Sequence, residues 1–283
     1  MTVRFVAEVS SNHHRDLARC LAFIEKAAEI GCHAVKFQLF KINELFAPEI
    51  LARSKMHRDR AAWELPVEFL PELAKKCRSV NIGFACTPFY LNAVEELYPY
   101  VDFYKIASYE LLWGDLLALC AQTGKPVVLS TGMALLDEIK GAVDTLRNAG
   151  CEDLTLLHCV SGYPAQLEEC NLAAIETIRR HFGCPAGWSD HTVNAAVIFR
   201  AVYRWGASMI EFHLDLEGEG EEYQTGHCWL PEQIQPVIEA VQTGLIADGS
   251  ADKAPAQSEL AEREWRADPG DGLRPLLPLR RKW

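Results

Sequence analysis

Short runs of apolar and β-branched residues alternate along this chain with longer stretches whose apolar positions recur every three or four residues. The first run, Val3–Val9, predicts a strand. Asp16–Ile30 predicts a helix with Leu17, Cys20, Leu21, Ile24 and Ala27 on one face, ended by Gly31. The same reading predicts strands at His33–Gln38, Gly83–Cys86, Phe103–Ile106, Pro126–Leu129, Leu154–Cys159, Ala186–Trp188 and Met209–Leu214. Helices are predicted over Pro66–Val80, Leu91–Leu97, Leu111–Gln122, Leu135–Asn148, Leu172–His181, Val193–Trp205 and Pro231–Ile246. Residues 39–64 read as a long polar connection with room for one short helix. Connections of that length in compact domains usually serve function or motion.

Strict alternation implies parallel strands joined by right-handed crossovers. Eight strand-then-helix units favour closure into a (β/α)8 TIM barrel, an α/β fold, over an open sheet. The 283 residues suit one such domain, which takes about 250. The pattern stops after residue 246. The expected division is therefore a barrel over 1–246 and a C-terminal tail over 247–283, rich in Ala, Pro, Arg and Asp.

Composition narrows the partners. A net charge of −11 argues against nucleic acid, which wants a basic face. It leaves room for a small anion held by a local lysine cluster. No stretch reaches about 18 uninterrupted apolar residues, so no membrane span is expected. The start, MTVRFVAEVSSNHH, lacks the apolar core of a signal peptide, which points to the cytoplasm. Ten scattered cysteines without a CxxC pair fit neither a zinc site nor a disulfide framework. They read as small buried hydrophobes in a reducing compartment.

In such a barrel the chemistry sits at the C-terminal ends of the strands. Nearly every strand here ends in reactive side chains: Glu8; Lys36 and Gln38; Thr87; Lys105, Ser108 and Glu110; Ser130, Thr131 and Gly132; His158 to Tyr163; Ser189, Asp190 and His191; Glu211 and His213. A single lysine or histidine in a strand is more often structural; it is their convergence on one face that points to function. Two inward lysines, Lys36 and Lys105, are costly to desolvate unless anions compensate them, and a phosphate with a carboxylate would do so. Ser108, Ser130, Thr131 and Ser189 add hydroxyls, and the turn at Gly132 adds backbone N–H groups. His191 and His213, on neighbouring strands, suit an exchangeable divalent ion such as Mn²⁺, with Mg²⁺ or Co²⁺ as alternatives, acting as a Lewis acid. Glu8 and Glu110 are candidates for a general base or a water-positioning group.

Eight segments carry a family resemblance: AEVSSNHHRD (7–16), AVKFQ (34–38), CTPF (86–89), YKIASYE (104–110), KPVVLSTGMA (125–134), LLHCVSGYPA (156–165), GWSDHT (187–192) and IEFH (210–213). In this order, over roughly residues 5–245, they resemble the barrel domain of the sialic acid synthase family. That family makes N-acetylneuraminate, legionaminate and pseudaminate. The resemblance implies that C3 of phosphoenolpyruvate attacks C1 of an open-chain 2-acetamido sugar, water adds at C2, and phosphate leaves by C–O cleavage. It implies that Lys36, Thr87, Lys105, Ser108, Ser130 and Ser189 hold phosphoenolpyruvate, with Gln38 and Ser161 beside the substrates. It further implies that His191 and His213 hold the metal, that Glu8 is the catalytic carboxylate, and that Tyr163 faces the substrates.

The departures concern the sugar. Arg15 and Ser161 stand where the family commonly has Gly and Asn. The segment Gly218–Trp229 replaces a Gly-Pro-Asp, with Gln224 aligned to the Asp. The family reaction on a different sugar is therefore expected. No counterpart of the family's C-terminal antifreeze-like domain is expected in these 283 residues, and part of the family's homodimer depends on it, so a homodimer is a possible rather than a required partner. The tail around Arg266 and Arg274 is a candidate to cover the mouth instead, or a segment that merely packs. Two rival readings are a 3-deoxy-sugar-acid synthase or aldolase acting on another aldehyde, and a non-catalytic sugar-binding or regulatory relative. A phosphorylated sugar would need a second basic cluster, and only Arg53, Lys55, Arg58 and Arg60 offer one.

Overall fold

The computed structural model describes residues 2–283. Eight parallel strands follow one another around a closed sheet: β1 (Arg4–Glu8), β2 (Ala34–Leu39), β3 (Gly83–Pro88), β4 (Phe103–Ile106), β5 (Val127–Ser130), β6 (Leu154–Cys159), β7 (Ala186–Asp190) and β8 (Met209–Leu214). Pairing of β1 with β8, Glu8 opposite His213, closes the (β/α)8 barrel. A two-residue strand, β9 (Cys228–Trp229), adds to the end of β8 with Cys228 opposite His213.

Alternation along each strand sorts the side chains into two populations. Outward residues such as Phe5, Ala7, Val35, Phe37, Tyr104, Leu129, Leu156, Ile210 and Phe212 join the main core against the helices. Inward residues Val6, Ala34, Val128, Leu157 and Met209 form a small apolar plug within the barrel, against Phe103. Gly187 belongs to this level; a Cβ there would lie 2.3 Å from the Met209 carbonyl oxygen and 2.7 Å from Leu157. Two residues further along each strand the inward set turns polar: Glu8, Lys36, Lys105, Ser130, Ser189 and Glu211, all buried. The plug therefore floors the site, and period two places the charges directly above it.

The helices follow local chemistry. Leu17–Glu29 starts at Asp16, whose carboxylate accepts from the N–H groups of Ala18 (2.8 Å) and Arg19 (3.4 Å). The connection after β2 holds three short helices, Ile42–Leu45, Pro48–Arg53 and Lys55–Asp59, where one was expected. Pro48 opens the second and the Ser54 hydroxyl caps the third; four to six residues are too few to show a helical period. The helix expected over Pro66–Val80 begins only at Leu70, after a 3-10 turn at Val67–Phe69.

The described chain divides into two compact units, the second running Ile246–Trp283. Within it, Asp268 accepts from the N–H groups of Gly270 (2.9 Å) and Leu277 (2.8 Å), and Asp271 pairs with Arg280 through two bonds of 2.6 and 2.8 Å. Arg266 donates to the Arg263 carbonyl. Among the described residues no helix is long and apolar enough to cross a membrane.

Candidate active site at the barrel mouth

Four charges sit above the plug. Lys36 Nζ lies 2.7 Å from Glu8 and 3.5 Å from Glu211, and Lys105 Nζ lies 3.4 Å from Glu211. The protein's own carboxylates, Glu8 and Glu211, supply anions of the kind that the two buried lysines call for. Burial alone would raise the Glu211 carboxyl, but Lys105 and Lys36 outweigh it and hold it below the usual carboxylate range. Burial works against the Lys36 ammonium too, and Glu211 with Glu8 reverses the effect and raises it. Lys105 has weaker support; burial, with Lys36 nearby, draws it below the usual lysine range. Gln38 donates to Glu8 (2.5 Å) and Ser10 (3.3 Å), and Lys36 reaches the Thr87 hydroxyl at 3.5 Å. Ser189 donates to Glu211 at 3.2 Å.

Beside this quartet lies a hydroxyl cradle. The Gly132 N–H donates to Ser108 Oγ (2.9 Å), which lies 3.2 Å from Cys159 Sγ. A Cβ on Gly132 would meet Ser161 Oγ at 2.4 Å and Ser108 Oγ and Cys159 Sγ at 2.9 Å each. Only glycine lets the chain pass so close to these groups. The buried hydroxyls of Ser130 and Ser161 have no hydrogen-bond partner among the described residues, and neither has Glu110 Oε2. Unpaired buried polar atoms are uncommon and call for a ligand or water. Burial lifts the Glu110 carboxyl to about 7 against the pull of Lys105.

Across the mouth stand the imidazoles. His191 Nδ1 bonds to the Val160 carbonyl (2.7 Å) and His213 Nδ1 to Glu222 (2.7 Å). Their ring centroids are 5.4 Å apart. Fixing each Nδ1 leaves each Nε2 as the ligand atom, the way metal-binding histidines are usually oriented. Burial first, then His213, pushes His191 down to about 3, so it is neutral and can ligate. The Tyr163 ring lies 4.2 Å from His191 and 5.1 Å from a third imidazole, His227. Asp190 pins this side, accepting from Trp188 Nε1 (3.0 Å), Trp229 Nε1 (3.0 Å) and the Thr192 hydroxyl (2.7 Å).

Glu8, Lys36, Gln38, Thr87, Lys105, Ser108, Glu110, Ser130, Ser161, Tyr163, Ser189, His191 and His213 stand at or just past the C-terminal ends of the strands, whereas His158 bonds the Cys170 carbonyl (2.9 Å) and packs against Trp188; four further residues beside the site have no role in the sequence reading. Glu211 stood among the strand-end residues; its service to both lysines runs across the barrel and no spacing betrays it. Glu222, His227 and Cys228 come from the segment after β8. The ligand-capable atoms of His213, Glu222, His227 and Cys228 lie within 4.8 Å of one another. All ten cysteines are free and nine are buried, as the sequence reading expects, and buried Cys228 lies beside these donors as well. Gln224, aligned with the family's Asp, faces away from these donors. It lies exposed and donates to the Gly218 carbonyl. The short helix Glu221–Gln224 turns it about 200° from Glu222, the residue that faces the histidines.

The NeuB family profile matches residues 23–253. An uncharacterized protein of Methanocaldococcus jannaschii is 35% identical, covering 90% of this chain and 74% of the relative. The N,N'-diacetyllegionaminic acid synthase of Legionella pneumophila is 32% identical, with 93% and 78% covered. The solved N-acetylneuraminic acid synthetase of Leptospira borgpetersenii superposes with a TM-score of 0.83 at 29% identity, covering 94% of this chain and 92% of that one.

Proposed function

Because the chain belongs to the NeuB family, we propose that it condenses phosphoenolpyruvate with the aldehyde of an open-chain 2-acetamido sugar, giving a nonulosonate and inorganic phosphate. One observation carries this reading. Buried lysines and unpaired hydroxyls open onto the same mouth as two imidazoles whose Nδ1 atoms are already engaged.

Lys36 and Lys105 hold the carboxylate and phosphate of the substrate, and Ser108, Ser130 and Ser161 donate to phosphate oxygens beside Gly132. Thr87, Gln38 and Ser189 keep Lys36, Glu8 and Glu211 in place. His191 and His213 fit a divalent ion, which when bound supplies Lewis acidity toward the aldehyde oxygen. As the enol C3 forms its bond to C1, the aldehyde oxygen takes up a proton. Water entering at C2 gives one up, and phosphate then leaves with the C2–O bond electrons while the C2 hydroxyl loses its remaining proton to give the ketone. Glu110, with a carboxyl near 7, can hold a proton at neutral pH and pass it on. Glu8, opposite His213 in the register, is the carboxylate that positions the water. Tyr163 walls the sugar side.

The test is phosphate release from phosphoenolpyruvate with Mn²⁺ and a panel of 2-acetamido sugars, against His213→Ala. Sugar-dependent release lost in the variant supports the reading, and the responding sugar names the substrate. Phosphoenolpyruvate binding with no release for any aldehyde would sink it.

A further inference from the structure

The segment after β8 gathers four donors of unusual composition for this mouth: two imidazoles, a carboxylate and a thiol. The gathering is built into the backbone. Pairing of β9 with β8 sets Cys228 opposite His213, and Asn12 holds the junction by donating to the Leu214 carbonyl (2.9 Å) and to Cys228 Sγ (3.5 Å). The turn between the strands then returns Glu222 and His227 to the same point. Asp215 fixes that turn by accepting from the Gly220 N–H (3.0 Å) while bound to Arg19 (3.0 Å).

The donors converge. A single carboxylate oxygen, Glu222 Oε2, lies 2.7 Å from His213 Nδ1, 3.5 Å from His227 Nε2 and 3.6 Å from Cys228 Sγ. Three groups able to give up a proton and ligate a cation are aimed at one carboxylate. The carboxylate and His227 are also held from behind. Ser11 donates to Glu222 Oε1 through its N–H (3.2 Å) and hydroxyl (2.8 Å), and Thr225 Oγ1 fixes His227 Nδ1 at 2.9 Å. Outer contacts of this kind orient ligands toward a metal. A divalent cation entering among these groups would release the Cys228 proton to solvent and move each ring proton to the other nitrogen, His213 Nε2 and His227 Nδ1, the latter facing Thr225 Oγ1, with little movement of the backbone.

We propose that His213 Nδ1, Glu222, His227 and Cys228 form a thiolate-containing divalent-cation site on the loop side of His213, set apart from the face that His213 shares with His191. Sulfur with two imidazoles and a carboxylate selects the zinc class of ions, with Co²⁺ as its spectroscopic substitute, over Mg²⁺ and Mn²⁺. With four protein donors the site is closed. It anchors the β8–β9 segment and, through Nδ1, the orientation of His213. The site shares His213 with the proposed function: a cation on Nδ1 leaves the ring proton on Nε2, so the two ions take His213 in turn unless the ring gives up both protons.

Co²⁺ titration of the chelator-treated full chain tests it, read by the near-ultraviolet thiolate-to-Co²⁺ charge-transfer band. The wild type should show the band, Cys228→Ser should lose it, and His191→Ala should keep it. Glu222→Gln should weaken Co²⁺ binding by about tenfold or more. Each variant is checked by circular dichroism, and the glutamine variant carries the test if the serine variant does not fold. Two results overturn the proposal while leaving the metal part of the proposed function standing. One is Co²⁺ binding without a thiolate band and lost in His191→Ala. The other is a band that survives Cys228→Ser. Absence of any Co²⁺ binding overturns both.

Discussion

On the lysine side of the mouth the charged and hydroxyl groups come from a strand or from the few residues after it. Lys36, Lys105, Ser130 and Glu211 are fixed by strand register, and Ser108, Gly132 and Ser161 follow within a turn. The histidine side is assembled differently. His213 is strand-borne, but Glu222, His227 and Cys228 arrive through a segment held by side-chain bonds to Ser11, Asn12 and Asp215. Rigid register suits a substrate common to a family. A segment tied down by a handful of side-chain bonds can be rebuilt without disturbing the barrel. The eight motifs resembling the family fall on strands and strand ends of both sides, with the departure at Ser161 on the first, while the departure at Gly218–Trp229 falls on the segment held by side-chain bonds.

Four experiments press on that contrast. The largest effect is expected at Glu211, which serves both lysines. Glu211→Gln should cost about 3–5 kcal/mol, the penalty of stranding buried charge. Adding Lys105→Met should recover part of it. Chemical denaturation of the two single variants and the double variant measures the coupling, and strict additivity would show that the pair does not act as one unit.

Glu110→Gln probes the same side through pH. A carboxyl raised from 4.5 to about 7 makes the folded state hold a proton that the unfolded chain releases. Its stabilising share is complete below about 4.5 and lost as pH rises through about 7. Glu110→Gln should therefore match the wild type near the acid end and exceed it by up to about 3 kcal/mol above neutrality. A pH-independent difference in melting would contradict this.

Gly132→Ala comes next. Its methyl group must displace Ser161, Ser108 or Cys159, an overpacking that costs about 1–3 kcal/mol. Phosphoenolpyruvate affinity measured by calorimetry should fall about tenfold or more, in step with that energy. Unchanged affinity would remove Gly132 from the binding surface.

The smallest effect belongs to the segment after β8. Gln224→Ala should change stability by less than about 0.5 kcal/mol and leave the sugar response as it was, since the side chain is exposed. A changed sugar preference would restore Gln224 to the site.

Register explains what the sequence could disclose. Once Lys36 and Lys105 lie on strands, alternation fixes their direction, and the floor formed by Val6, Ala34, Val128, Leu157 and Met209 follows from the same parity. Relations between distant strands leave no such trace. Lys105 on β4 meets Glu211 on β8, and nothing in their spacing announces it. The helix Glu221–Gln224 is only four residues long, too short for periodicity to tell whether Glu222 or Gln224 faces inward. Cys228 becomes a ligand candidate only through a two-residue strand that no pattern search would find.

Lys36 and Lys105 against Glu8 and Glu211 make a quartet with no net charge. An arriving anion therefore meets no excess of positive charge there; it has to compete with carboxylates already seated. Positive charge delivered to the neighbouring histidines tips that competition, and so does protonation of Glu110. Under the proposed function, anion and cation at this mouth are, in thermodynamic terms, heterotropic partners. Whatever factor one adds to the affinity of the other is returned in equal measure, so each measured alone will look weaker than it is in the ternary complex.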